Sequence, residues 1–254
     1  MTKKPQLKRT TATENRDLVR ERHYATRGAF PEFLYHGAVV NILAGELYQA
    51  FPEYQFILQD SPSGAFKALG NCFPVNWDNS LSQLPDGGLE AMLQLAVQQY
   101  RDGTRPNILC AFQIIVPKEL QGSGLSYEAV HAMLNIGREH KLTGLIAPVR
   151  PNRKAFHPEM PMEQYVHWKR EDNLPADDWI RVHIRLGAEL VRVCPRSFVV
   201  EGKISEWEEW TGMTFAESGD YPVPGALVPV HIDLDLNRGI YVEPNVWMYH
   251  RINI

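Results

Sequence analysis

Two apolar runs of strand length, "ILCAFQIIVP" (108–117) and "TGLIAPV" (143–149), flank a helical stretch, "SYEAVHAMLNIGREH" (126–140). Runs this apolar suit strands covered on both faces. Strand, helix and strand in that order form one crossover, so the two strands lie parallel or nearly adjacent in one sheet. That unit commits the chain to an α/β architecture.

The flanking sequence fills in the sheet and its helices. Thr11-Ala12-Thr13-Glu14 has the form of a capping box, with a charged helix expected to about Arg27. "VVNILAGELYQAF" reads as a helix ended by Pro52, and "YQFILQD" and "GAFKALGNCFPV" as strands joined by "SPSG". Asp86-Gly87-Gly88 opens a helix through Tyr100, with Leu89, Met92, Leu93 and Ala96 at helical spacing. Residues 151–176 are polar and hold four prolines, the composition of a lid or insertion. "DDWIRVHIRLG" reads as a helix ending at Gly187, followed by the strand "ELVRVCPRSFVV". Ser205-Glu206-Trp207-Glu208 is a second capping-box candidate, its helix stopped by Gly212, and "GALVPVHIDL" and "GIYVEPNVWMYH" read as paired strands. The fold class expected is a mixed, mostly antiparallel sheet with helices on both faces. One domain is expected over 1–254, with insertions after residues 77 and 151 and an extended C-terminal segment from about 200.

Composition narrows the function. Apolar residues at 44% and charged residues at 22% are ordinary globular values, and a net charge of −4 gives no basic excess for nucleic acid. No run approaches the roughly 18 apolar residues of a membrane helix, and the basic N-terminus has no apolar segment behind it. Cys72, Cys110 and Cys194 are too few and too scattered for a disulfide framework or a zinc site. The histidines form no HExxH pair, so no metal is expected. A cytoplasmic protein is expected.

The turn between the first apolar run and the helix, Gln121-Gly122-Ser123-Gly124-Leu125-Ser126, is nearly bare of side chains. A helix N-terminus carries unpaired N–H groups and favours anions, and glycines let a phosphate approach the backbone. The spacing is neither a P-loop, nor the dinucleotide fingerprint, which would need glycine at Tyr127, nor a nucleophile elbow. It resembles the Q/R-x-x-G-x-G/A signature of the GNAT acyltransferase superfamily, with Gln121, Gly124 and Ser126 at the signature positions and serine replacing the usual glycine or alanine. Serine is small and is expected to cap the helix. The strand, turn, helix, strand and later helix follow GNAT order over about residues 35–200.

The resemblance implies acyl-coenzyme A as co-substrate, acetyl-coenzyme A above all. It assigns coenzyme contacts to Ile115 and Val116 at the strand end, to Gln121, Gly122, Ser123, Gly124, Leu125 and Ser126 in the turn, and to Asn152 near the pantetheine arm. Many GNAT enzymes place a tyrosine acid four residues before the glycine that closes the later helix; here that position is His183. It shares a helix face with Trp179, Val182 and Leu186, so it points inward. The family's strand carboxylate is missing, and Gln113 is the nearest polar side chain. Candidate bases are His250, Glu243, His157 and His167. Arg150, Arg153 and Lys154 are candidates for a phosphate or an acidic acceptor, and Trp207, Trp210, Tyr241, Trp247 and Tyr249 for an acceptor wall or for packing.

The function this implies is acyl transfer to a small-molecule acceptor, an amine first. Two alternatives stay open: a malonyl-thioester decarboxylase or acyl-loading enzyme working with a carrier protein, and a non-catalytic acyl-coenzyme A sensor.

Overall fold

The computed structural model describes residues 6–253; the first five residues of the basic N-terminal stretch lie outside them. In chain order the elements are β1 (Leu7–Thr11), α1 (Arg16–Ala25), α2 (Ala38–Ala50), β2 (Gln55–Asp60), β3 (Phe66–Val75), α3 (Gly88–Arg101), β4 (Ile108–Ile115) and α4 (Leu125–Glu139). They continue with β5 (Gly144–Val149), α5 (Met162–Tyr165), α6 (Asp178–Arg185), β6 (Glu189–Gly202), α7 (Ile204–Thr211), β7 (Gly219–Tyr221), β8 (Val230–Asp233) and β9 (Arg238–Arg251). The strands run β1-β2-β3-β4-β5-β9 across the sheet. β6 follows one edge of β9, while β5 and β8 share its other edge. Every pairing is antiparallel except β4 with β5.

Residue parity on β9 sorts the helices, because neighbouring side chains point to opposite faces of a sheet. Trp247 donates its indole N–H to the Pro85 carbonyl just before α3, while Met248 packs in a cluster with residues of α5 and α6. Ile252 shares the parity of Met248 and lies against Gly137 of α4. Thus α4, α5 and α6 cover one face. α3 covers the other, with α2 packed beside it. This is the mixed, mostly antiparallel sheet with helices on both faces that the sequence predicts.

Several local expectations shift. Thr11 and Glu14 do exchange capping-box bonds, but they close a turn at the end of β1, and the helix starts later with Asn15 as its cap. The second box sits two residues earlier than expected: the Lys203 N–H donates to Glu206 at 2.7 Å, and α7 starts at Ile204. The short strands β1 and β7 carry no pattern strong enough to predict. Trp207, Tyr241 and Trp247 are fully buried core residues, and Trp210 stacks on His36.

One feature of the sheet positions the candidate site. β4 and β5 pair at only two positions, Leu109 with Leu145 and Cys110 with Ile146. Opposite β3, Ala111 pairs with Cys72 and Gln113 with Asn71, so Phe112 is an extra residue on β4. Such a bulge bends its strand and increases its twist. Pro148, just past the split on β5, has no N–H to donate, which suits an open edge. From Ala111 onward the two strands diverge as a fork.

α3 is locked to β6 at Gly88, which has φ +45°; a Cβ there would strike Cys194 Sγ and Ser197 Oγ, and the next N–H donates to Ser197 Oγ at 3.1 Å. Gly88→Ala is expected to cost about 1–3 kcal/mol by overpacking. A thermal melt should show Tm lowered by roughly 2–4 °C per kcal/mol; an unchanged Tm would contradict this reading of the joint.

Candidate active site

The turn that opens α4 stands at the mouth of the fork. Gly122 and Gly124 adopt φ +77° and +84°, and a Cβ on either would enter open space. Left-handed backbone favours glycine because other residues clash there. Gly124 is the N-cap of α4, and no side chain caps the helix. Ser126 therefore does not cap it, as the sequence led one to expect; it lies within the first turn. Nor does Ser123, which donates to the Leu120 carbonyl. Gln121 ties the turn to the strand end by donating to the Val116 carbonyl at 3.3 Å. The result is a backbone cradle with a positive helix end behind it, suited to an anion. Ile115 and Val116 lie on the β4 arm of the fork, and exposed Asn152 sits just beyond the β5 arm.

Beneath the fork lies a histidine pair. His183, on α6, is buried as the helical spacing implies, and its Nδ1 lies 2.9 Å from Nε2 of His250. His250 pairs with Leu145 across β5 and β9, where the fork is still closed. Burial pushes His183 down to about 3, with His250 adding to the fall. Burial also takes His250 down to about 4; a backbone contact with Leu186 opposes that fall and His131 adds to it. Both rings are neutral at pH 7. Nε2 of His183 is buried with no partner among the described residues.

The other expected polar residues are mostly engaged elsewhere. Glu243 is buried and accepts from Arg150 at 2.8 Å, from Tyr241 at 2.8 Å and from Asn245 at 3.1 Å. Burial works to lower Arg150, but Glu243 and Tyr241 outweigh it and hold the guanidinium up. This network fastens β9 to the end of β5, so neither Glu243 nor Arg150 is free. Lys154 is fully buried, with its ammonium on the carbonyls of His157, Pro158 and Leu227. Arg153 remains at the surface, paired with Asp178 at 2.7 Å. His157 packs against Trp168, and His167 is exposed.

The opposite face of the fork holds a polar chain that the sequence did not reveal. Ala111 faces the α5–α6 cluster, whereas Gln113, beyond the bulge, faces α1. Its amide donates to Asn71 at 2.8 Å and lies 3.4 Å from His23 Nδ1. Asn71 donates to Gln55 at 2.8 Å and to the Tyr48 hydroxyl at 3.3 Å. Gln55 and Asn71 are fully buried. These residues come from five separate elements, so no spacing in the sequence could join them.

Comparison with known proteins identifies the family and the fold. No family model matches the chain. Over 206 residues, 73% of this chain and 70% of the other, it is 36% identical to arginine N-acetyltransferase avaD of Aspergillus versicolor. The chain belongs to the GNAT superfamily. As a GNAT protein it is an acyl-coenzyme A-dependent N-acyltransferase. Its fold is similar to the loading GNATL domain of CurA from Lyngbya majuscula, with TM-score 0.57 at 16% identity over 98% of both chains. It is also similar to the GphF GNAT-like decarboxylase in complex with isobutyryl-coenzyme A, with TM-score 0.53 at 10% identity over 98% of this chain and all of that one. Among the described residues no helix is long and apolar enough to cross a membrane, and no group of three or more potential ligands could hold a metal.

The histidine pair gives a pH signature. Each ring ionises near 6.5 when unfolded but only near 3 or 4 when folded, so below 6.5 the unfolded chain binds more protons. Stability is fully present above pH 6.5 and is lost as pH falls toward 4, by roughly 1 kcal/mol per pH unit for each ring. Urea melts from pH 7 to 4 should show this slope, and a His183→Gln/His250→Gln variant should flatten it. Equal slopes in the two proteins would contradict the neutral pair.

Proposed function

We propose that this GNAT protein transfers an acetyl group from acetyl-coenzyme A to the amine of a small amino acid, with arginine the leading candidate. The observation that carries the reading is the fork between β4 and β5, with an uncapped glycine turn at its mouth. The arginine N-acetyltransferase relative supports the choice of acceptor. In this reading the coenzyme's pyrophosphate rests on the N–H groups of Gly122, Ser123, Gly124, Leu125 and Ser126, while Gln121, whose own N–H donates to the Lys118 carbonyl at 3.3 Å, borders it and braces the turn. Pantetheine runs along the unpaired edge of β4 past Ile115 and Val116, with Asn152 on the far arm. Burial of the thioester in a narrow slot between two strands holds its carbonyl for attack, which is catalysis by positioning.

His183 is the proposed route for the proton that reaches the departing thiolate. Because burial keeps both rings neutral, His183 stores no acidic proton at pH 7. Any proton it delivers from Nε2 must enter the pair in the same event, so the two rings would work as a relay.

The test is turnover. Purified protein with acetyl-coenzyme A and arginine should release free thiol and N-acetylarginine. His183→Gln should lower kcat at least tenfold while leaving the Kd for coenzyme A within threefold; an unchanged kcat would remove His183 from the reaction. Gly124→Val should weaken coenzyme A binding at least tenfold in a protein that still folds, with Tm lowered by the strain of a branched residue at φ +84°. Carbon dioxide release from malonyl-coenzyme A without any acceptor, together with no amine acetylation, would instead establish the decarboxylase alternative.

A further inference from the structure

The polar chain on the α1 face determines more than packing. Gln55 donates both hydrogens of its amide to backbone carbonyls, Phe51 at 2.9 Å and Cys72 at 2.8 Å. Backbone carbonyls can only accept, so the orientation of this amide is fixed. Its oxygen then faces Asn71, which must present its NH2 there and its oxygen to Gln113. Gln113 must in turn present its NH2, one hydrogen to Asn71 and the other to Nδ1 of His23. All six amide hydrogens have acceptors, the sixth being the His23 ring nitrogen. Flipping any one amide would set two donors or two acceptors face to face in a buried site.

The consequence falls on His23. Its Nδ1 keeps a lone pair to accept from Gln113, so in the neutral ring the proton sits on Nε2. Burial lowers the pKa of His23, partly offset by the Asn71 side chain, and an NH2 aimed at Nδ1 also disfavours a second proton. The titratable neighbours of the ring are the phenols Tyr24 and Tyr48; Arg20 on the same helix is turned to the Tyr24 hydroxyl. The ring is half-buried, and its contact with Gln113 uses Nδ1, leaving Nε2 outside the amide chain. His23 is therefore a fixed N–H donor, and the tautomer removes it as a base.

We infer that His23 Nε2–H recognises an oxygen of the acceptor, so the enzyme selects amines that carry a carboxylate close to the reacting nitrogen. The placement supports this. Coenzyme elements α4 and α6 lie on one face of the fork, and His23 lies on the other, over Gln113 of the open β4 arm. A carboxylate held there would leave its neighbouring amine facing the thioester between the arms. This deepens the proposed function and rests on it. His23 is a specificity residue, with no part in making or breaking bonds.

Two experiments test the inference. In NMR of protein labelled with 15N and 13C at histidine, wild-type His23 should show the Nε2–H tautomer at pH 7, and Gln113→Leu should lose that fixed signature. An Nδ1–H ring in wild type would overturn the assignment. The second compares arginine with agmatine, which lacks the carboxylate. His23→Phe should reduce kcat/KM for arginine at least tenfold, mostly through KM, and that for agmatine less than threefold. His23→Gln, which keeps an N–H donor, should recover part of the loss. Equal losses for both amines, or none for arginine, would overturn the inference. A wild-type protein that binds acetyl-coenzyme A but acetylates neither amine would overturn the functional reading, and the tautomer measurement separates that failure from an error about His23.

Discussion

A single extra residue on β4 governs the arrangement of this molecule. With Phe112 inserted opposite the step from Asn71 to Cys72, β4 keeps full pairing with β3 yet turns away from β5 after Cys110. The two central strands cannot form a continuous ladder, and their facing backbone edges stay available. β5 remains fixed because β9 pairs with it along its whole length, from Gly144 to Val149. One arm of the fork is thus held by β3 and the other by β9. The opening persists because each arm is stabilised from outside.

The fork also divides the chemistry. On the α4 and α6 face, the glycine turn supplies backbone donors and the histidine pair supplies two neutral rings beneath the split. The opposite face carries the amide chain from Gln55 to His23. The bulge creates this division too: it puts Gln113 on the α1 face while Ala111 remains toward α6. On a regular strand Ala111 and Gln113, two residues apart, would share a face; the extra residue between them is what separates them. Charge is managed differently at the far end of β5. There Arg150 and Glu243 satisfy one another beneath the loop at Gly225, a paired burial that holds β9 in register and leaves neither group for catalysis.

Much of this was legible in the sequence where the signal is local. The apolar runs marked β4 and β5, glycines with a helix behind them marked the turn, and helical spacing with Trp179, Val182 and Leu186 placed His183 on an inward face. Signals that depend on partners were not legible. Thr11 and Glu14 make the bonds of a capping box, but the sequence could not show that a strand ends at Thr11 and that Asn15 takes the helix. Glu243 and His250 look alike as isolated polar residues in an apolar strand; only the fold gives one to Arg150 and the other to His183. His23 stood in a charged helix with nothing to distinguish it. Its role comes from an amide chain whose orientation is fixed by the Phe51 and Cys72 carbonyls, far from it in sequence.

The account depends on coenzyme A entering the fork with its pyrophosphate on the α4 turn. Hydrogen exchange with and without acetyl-coenzyme A tests that directly, residue by residue. The structure predicts slowed exchange at the amides of Gly122 to Ser126 and along β4 from Ala111 to Ile115, with β2 and α2 unchanged. Protection elsewhere, such as the groove between α2 and α3, with the turn still exchanging freely, would contradict it.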